Sequence, residues 1–101
     1  MDRKEFHTKL VSLMKSPHVY FQPPENVKIE YPCIVYNLDN LDQIRADNST
    51  YLLSDSYSVT YITRDPDDEL IRLFPIEFKM CRFDRRFVSD NLYHYIYTIY
   101  T

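Results

Sequence analysis

Glycine is absent from all 101 residues, although proteins on average contain about 7% of it. Loops of the P-loop and dinucleotide-binding types need glycine because the backbone approaches the phosphates closely. The sequence therefore excludes both kinds of nucleotide site. It also predicts that residues with a positive φ angle are Asn or Asp, for example Asn40, Asn48 or Asn91.

Cysteine is scarce. Cys33 and Cys81 lie far apart in the sequence and form no C-x-x-C pair, so we expect neither a zinc site nor a disulfide framework. Both are expected to be small buried hydrophobic residues in a reducing compartment. A disulfide between them would require an oxidising environment.

Basic charge and long apolar runs are also lacking. The formal net charge is −3, which argues against nucleic acid as the main partner. No apolar stretch approaches the roughly 18 residues of a membrane span, and Met1 to Glu5 is charged, unlike a signal peptide. We expect a soluble protein that is made and kept in the cytoplasm and has no membrane partner.

Tyrosine is abundant: there are ten, with no tryptophan, in a chain that is 45% hydrophobic. Its length predicts one domain, residues 1–101. Tyrosine suits protein contacts because it offers an apolar ring and a hydroxyl, but it also simply favours strands. Both explanations stay open.

Two helices are predicted. Apolar residues recur at helical spacing within residues 2–15, where Asp2 can cap the start and Pro17 stops the helix. A second helix is expected near residues 66–74, with Asp65 as its N-cap and Pro66 at the first position. Pro75 should end or kink it.

The remaining segments read as strands. We expect extended structure at 18–21, 32–38, 50–63, 80–88 and 92–100, and a turn at Asp39-Asn40 that leads to a possible hairpin partner at 41–47. The predicted fold is α+β, a mostly antiparallel sheet of 4–6 strands with both helices packed on one face. Tyr93, Tyr95 and Tyr97 should share one face of the last strand.

No catalytic, cofactor or metal residues are expected, and the chain does not read as an enzyme. No local sequence motif marks Cys33 or Cys81 as a nucleophile with a histidine as its base, so we do not expect a catalytic pair. The acids of 65–69 suit a helix start and lack the pattern of a calcium loop.

Residues 82–87 interleave basic and aromatic residues, as in some strands that bind nucleic acid. As a regular strand, Arg82, Asp84 and Arg86 would face one way and Phe83, Arg85 and Phe87 the other. The net charge of −3 favours a second interpretation, a polar face on which Arg82 or Arg86 pairs with Asp84 or another acid.

The chain resembles the tail terminator, or tail completion, proteins of long-tailed bacteriophages. The resemblance is carried by the order and spacing of seven segments: Tyr20-Phe21-Gln22-Pro23-Pro24, Tyr31-Pro32-Cys33-Ile34-Val35-Tyr36, Ala46-Asp47-Asn48 with Tyr51, Tyr57-Ser58-Val59-Thr60, Arg64-Asp65-Pro66-Asp67, Cys81-Arg82-Phe83-Asp84-Arg85 and Asp90-Asn91-Leu92-Tyr93-His94.

The resemblance implies a structural virion protein, assembled in the host cytoplasm and placed in the neck or upper tail. Its copies would form a hexameric ring that caps the tail tube, joins the head connector or adaptor proteins, and lets DNA pass without specific binding. Such a ring needs a head-to-tail interface that closes after a fixed rotation. The family offers no catalytic residues to carry over.

The candidate interface with a neighbouring subunit or the tube has two parts. One is the polar segment from Asp39 to Asn48, which is expected to project from the sheet and carries Asp39, Asp42, Arg45 and Asp47. The other is the tyrosine row of Tyr93, Tyr95 and Tyr97. The alternatives are a head–tail adaptor of the neck and a small nucleic-acid-binding regulator that would use Arg82, Arg85 and Arg86.

Overall fold

The computed structural model describes residues 2–24, 28–46 and 49–100, with the backbone alone for 40–46 and 49–55. The elements follow in the order α1 (Arg3–Met14), β1 (Val19–Phe21), β2 (Cys33–Ala46), β3 (Ser49–Thr63), α2 (Leu70–Glu77), β4 (Cys81–Ser89) and β5 (Leu92–Tyr100). They form one five-stranded sheet in the order β1-β2-β3-β5-β4, antiparallel except for the β1–β2 pair. The predicted α+β fold is confirmed.

The first helix forms as its local signals predict. The Asp2 carboxylate accepts a 2.8 Å hydrogen bond from the Glu5 main-chain N–H, one of the donors that a helix start leaves without a partner. Lys15 ends α1 in the left-handed conformation, and its N–H bonds to the Val11 carbonyl. Phe6 and Leu10 are buried, so one stripe of α1 faces the sheet.

Both helices cover the same face of the sheet, here called the helix face. Phe6 of α1 stacks on Tyr57 at a centroid distance of 4.7 Å, and Phe74 of α2 stacks on Tyr97 at 4.6 Å. The core contains Phe6, Leu10, Val19, Ile34, Tyr36, Tyr57, Val59, Tyr61, Phe74, Phe78, Tyr95, Tyr97 and Ile99. The opposite, outer face carries a smaller buried cluster of Cys33, Ile62 and Leu92.

The turn predicted at Asp39-Asn40 is wrong. The chain instead passes an irregularity in the β2–β3 register between Leu38 and Asn40, and β2 continues to Ala46. Because β5 pairs with β3 only from Ser56 onward, residues 41–46 and 49–55 pair with each other beyond the end of the sheet. We call this two-stranded extension the ribbon. It accords with a radius of gyration of 14.7 Å, compared with about 13 Å for a compact domain of this size.

The second helix begins later than predicted and passes through Pro75. It starts at Leu70, so the prediction that Asp65 and Pro66 open it is wrong. The Asp65 carboxylate instead accepts from the Asp67 N–H within a turn. Asp68 accepts from the Leu70 N–H and also bonds to Tyr61 on β3, which fixes the start of α2 close to the sheet.

A bulge changes which way the β4 side chains point. The β4–β5 register shifts between Phe83 and Arg85, so Asp84 is the extra residue. Phe83 and Arg86 stand opposite Tyr97 and Tyr95 on the helix face, while Arg82 and Arg85 lie on the outer face. The predicted regular alternation is therefore wrong after Asp84.

Positive φ angles occur at four described residues: Lys15, Gln22, Asp90 and Asn91. Asp90 and Asn91 form the β4–β5 turn and confirm the expectation for Asx residues. Lys15 and Gln22 contradict it, because a helix end and a strand end impose the conformation on them. Asn48 lies outside the described residues.

Candidate subunit interface

The β4 strand lies at the edge of the sheet and has one strand neighbour, β5. Phe83 is 51% exposed and Val88 55%, although both belong to the helix face. The adjacent end of α2 adds Ile76 at 73%, and the following turn adds Met80 at 63%. We call this surface the α2–β4 edge. It brings together five of the seven large hydrophobic residues that are exposed in the described part of the chain: Ile76, Met80, Phe83, Phe87 and Val88.

A groove accompanies this edge because α2 does not reach across β4. Phe74 packs over Tyr97 on β5, and the helix-facing side chains of β4 remain beside the helix rather than beneath it. An open pocket of about 380 Å³ results, lined by Ile71, Arg72, Pro75, Phe83, Tyr95 and Tyr97. Contiguous apolar surface of this kind is typical of a protein contact.

On the outer face of the edge, one arginine forms an ion pair with an aspartate. Arg82 donates a 2.7 Å hydrogen bond to the Asp84 carboxylate, and Thr98 donates to the other oxygen of the same carboxylate. Burial opposes the charge of Asp84, but the bonds from Thr98 and Arg82 hold the pKa of its carboxyl below its usual value. The predicted pairing of Arg82 with Asp84 is confirmed.

Two further arginines on β4 lack an acidic partner among the described residues. Arg85 lies over the Phe87 ring with its guanidinium carbon 5.5 Å from the centroid. Arg86 makes no ion pair or hydrogen bond within the described part of the chain. With Arg82 balanced by Asp84, β4 carries an excess of two positive charges.

Part of the predicted polar segment lies in the ribbon. Asp39 is exposed at its base, and its charge contributes, after that of Asp84, to a raised pKa of Arg82. The backbone of Asp42 and Arg45 belongs to the β2 half of the ribbon. Asp47 lies outside the described residues.

The predicted tyrosine row lies on one face, as expected, but two of its members are core residues. Tyr95 and Tyr97 are buried, and burial raises the pKa of the Tyr97 hydroxyl. Both belong to the core of the same chain, and the surface that they offer is limited to the floor of the groove beside α2. Tyr93 is half-buried at the margin of the core.

The cysteines and histidines do not meet in the described structure. Burial raises the pKa of the Cys33 thiol to about 12 and that of Cys81 to about 11, so both are protonated at neutral pH. The three histidines have other partners: His7 bonds the Tyr36 hydroxyl at 2.7 Å, His18 pairs with Glu30 at 3.1 Å, and His94 contacts the Leu92 carbonyl at 3.2 Å.

Among the described residues, no cluster of three or more His, Cys, Asp or Glu side chains is placed to hold a metal ion. Neither of the helices described here has the length and apolar character needed to cross a membrane.

Sequence reasoning predicted a projecting polar segment at residues 39–48, but it placed a turn at Asp39-Asn40 and missed the α2–β4 edge. Ile76, Met80, Phe83 and Val88 fit ordinary apolar positions of a helix and a strand, so their sequence pattern predicts burial. Their exposure follows from the placement of β4 at the sheet edge. Comparison with protein families, curated proteins and solved structures finds no match to this chain.

Proposed function

We propose that the protein is a structural subunit that joins copies of itself into a closed ring, and that this ring is the tail terminator of a long-tailed bacteriophage. The observation that carries the proposal is the coexistence of two different contact surfaces on one small domain. One is the ribbon that extends beyond the sheet, and the other is the α2–β4 edge.

Two unlike surfaces favour a head-to-tail arrangement. A two-fold dimer needs one self-complementary patch, whereas a ring needs two patches, each fitting the other on the next copy. The ribbon and the α2–β4 edge lie on different strands and differ in shape, which meets that requirement. In this proposal the protein acts by binding alone and has no catalytic role.

The assignment to a phage tail rests on the sequence resemblance, and the observed order of elements is compatible with it. The partners would be other copies of the chain, the tail tube protein below the ring and the connector or adaptor proteins above it. The ring would occupy the neck or upper tail of the virion.

Native mass spectrometry of the purified protein, with and without its tail tube protein, tests the proposal. We expect a hexamer, formed either alone or only on the tube. A protein that stays monomeric in both conditions would contradict the ring. Retention of nucleic acid by that monomer, in a form released by salt, would instead support the regulator alternative.

Replacement of Asp39, Asp42, Arg45 and Asp47 together by Ala tests the ribbon. The fold should remain, because charged residues seldom belong to a core, while assembly should weaken. A matched control replaces three acids and one base outside the two surfaces: Lys4, Glu5, Asp67 and Glu69. Normal solubility and assembly of the ribbon variant would remove the ribbon from the interface.

A further inference from the structure

The α2–β4 edge combines apolar surface with unbalanced positive charge. Phe83 and Val88 are more than half exposed, and Arg85 and Arg86 have no acidic partner among the described residues. The outward edge of β4 also presents main-chain groups that are available to an added strand. A matching partner would therefore be extended, partly apolar and acidic.

The segment from Asp39 to Asp55, which contains the ribbon, has that composition. The sequence from Asp39 to Asp55 contains four aspartates and one arginine, which gives it a formal charge of −3, and it includes Leu41, Ile44, Leu52 and Leu53. The backbone of the ribbon is already extended, with residues 41–46 paired to 49–55. The length beyond the sheet, about six residue pairs, is roughly 20 Å, enough to reach over a neighbouring subunit.

Within one copy only the base of the ribbon lies near β4, where the charge of Asp39 acts on Arg82 at the start of the strand. Strand β5 separates β3 from β4, and the ribbon continues along β2 and β3 past the last β3–β5 pair, Ser56 with Tyr100. Arg85 and Arg86 lie further along β4, opposite Ile96 and Tyr95 of β5 and away from the ribbon. The ribbon can therefore reach these two arginines only between copies.

Pairing of β4 with the β4 of another copy would be unfavourable. Each strand carries three arginines and one aspartate, so two edges with an excess of two positive charges would face each other. Like charges on adjacent strands destabilise a sheet.

We propose that the α2–β4 edge of each copy receives the ribbon of the next copy. This inference rests on the proposed ring and identifies its interface. In this pairing the acidic ribbon balances the charge of Arg85 and Arg86 and lies over Phe83 and Val88.

A charge exchange tests this pairing. The edge variant R85E/R86E places an acidic edge against an acidic ribbon, and the ribbon variant D42K/D55K places a basic ribbon against a basic edge. Each variant alone should assemble more weakly than the natural chain, on the order of tenfold or more. An equimolar mixture should assemble, because every contact then joins opposite charges.

Native mass spectrometry of the mixture measures how many copies of each variant an assembly contains. The two variants differ in mass, and opposite charges meet at every contact only if they alternate around the ring. We therefore expect assemblies with equal numbers of each variant. A chain carrying all four substitutions should also assemble alone.

The control variant K4E/K28E makes the same change of net charge at exposed lysines away from the edge. It should assemble normally. Circular dichroism and thermal unfolding confirm that each variant folds, which is expected because Arg85 and Arg86 are exposed.

Two outcomes separate this inference from the ring itself. If the natural chain assembles and R85E/R86E assembles equally well, the α2–β4 edge is not the receiving surface, although the ring proposal stands. If the natural chain stays monomeric with and without tube protein, both fail, and loss of nucleic-acid binding in R85E/R86E would then assign the arginines to that role.

Discussion

The hydroxyl of Tyr97 donates a 2.6 Å hydrogen bond to the main-chain carbonyl oxygen of Ile71. In an uninterrupted helix that oxygen would accept from the N–H four residues later, but that residue is Pro75, which has none. The buried tyrosine on β5 thus replaces the missing helix bond. This contact explains how α2 continues to Glu77 with a proline inside it.

Tyr97→Phe should lower the free energy of unfolding by about 1–2 kcal/mol, because the Ile71 carbonyl loses its partner while the aromatic packing remains. Chemical denaturation measures the effect. The same substitution in a Pro75→Ala background is the control, since an alanine in place of the proline supplies a main-chain N–H to the Ile71 carbonyl. An equal loss in both backgrounds would contradict the proposed link between the tyrosine and the proline.

The sequence predicts an element correctly where the residues that cap it and form its buried face belong to the same segment. The first helix was predicted because its cap, Asp2, and its buried stripe, Phe6 and Leu10, are read within one stretch of sequence. The start of α2 was predicted at the wrong residue, because it depends on the hydrogen bond between Asp68 and Tyr61 of strand β3. A helix start that depends on a contact with a distant strand leaves no signal in the local sequence pattern.

The same distinction applies to the candidate interface: one part could be predicted from the local sequence and the other could not. The polarity of the ribbon is visible in its sequence, whereas the bulge at Asp84 depends on Thr98 across the sheet. That bulge decides which face Arg85 and Arg86 occupy. Exposure of Phe83 likewise depends on strand order, which no pattern within β4 encodes.

Asp68→Ala should destabilise the fold by about 2 kcal/mol. The Asp68 carboxylate accepts from the Tyr61 hydroxyl at 2.6 Å, the Thr63 hydroxyl at 3.0 Å and the Leu70 N–H at 3.0 Å. Tyr61 and Thr63 are buried, and bonds to a charged acceptor are the stronger kind. Denaturant unfolding measures the loss.

Asp67→Ala is the matched control for Asp68. It removes an exposed carboxylate one residue earlier, and within the described residues that side chain makes no hydrogen bond or ion pair. A change of less than about 0.5 kcal/mol is expected. Similar losses in the two variants would mean that the buried hydroxyls do not depend on Asp68.

Thiol labelling at pH 8 should distinguish the two cysteines. Cys33 is fully buried with a pKa raised to about 12, whereas Cys81 is partly exposed with a pKa raised to about 11. Because the thiolate is the reactive form, Cys81 should react slowly and Cys33 only when the protein unfolds. Mass spectrometry of peptides after iodoacetamide treatment measures both rates. Rapid labelling of Cys33 in the folded protein would contradict its place beneath the outer face.

The free energy of unfolding should fall below neutral pH partly through His7. Burial, followed by the positive charge of Arg3, lowers the pKa of His7 from its ordinary value of 6.5, and its Nδ1 atom lies 2.7 Å from the Tyr36 hydroxyl. The unfolded chain therefore binds the proton more readily than the folded one. The contribution of His7 is complete above pH 6.5 and is lost as the pH falls through the folded-state pKa.

His7→Asn tests this dependence, because the amide can bond to Tyr36 but does not titrate in this range. Denaturant unfolding between pH 7.5 and about pH 5 should show a steeper fall for the natural chain than for the variant. His18→Asn serves as the comparison, since the half-buried His18 pairs with the exposed Glu30 on another part of the molecule. If the natural chain and His7→Asn lose stability equally as the pH falls, His7 has the same pKa in the folded and unfolded states. The bond to Tyr36 would then add to stability without making it depend on pH.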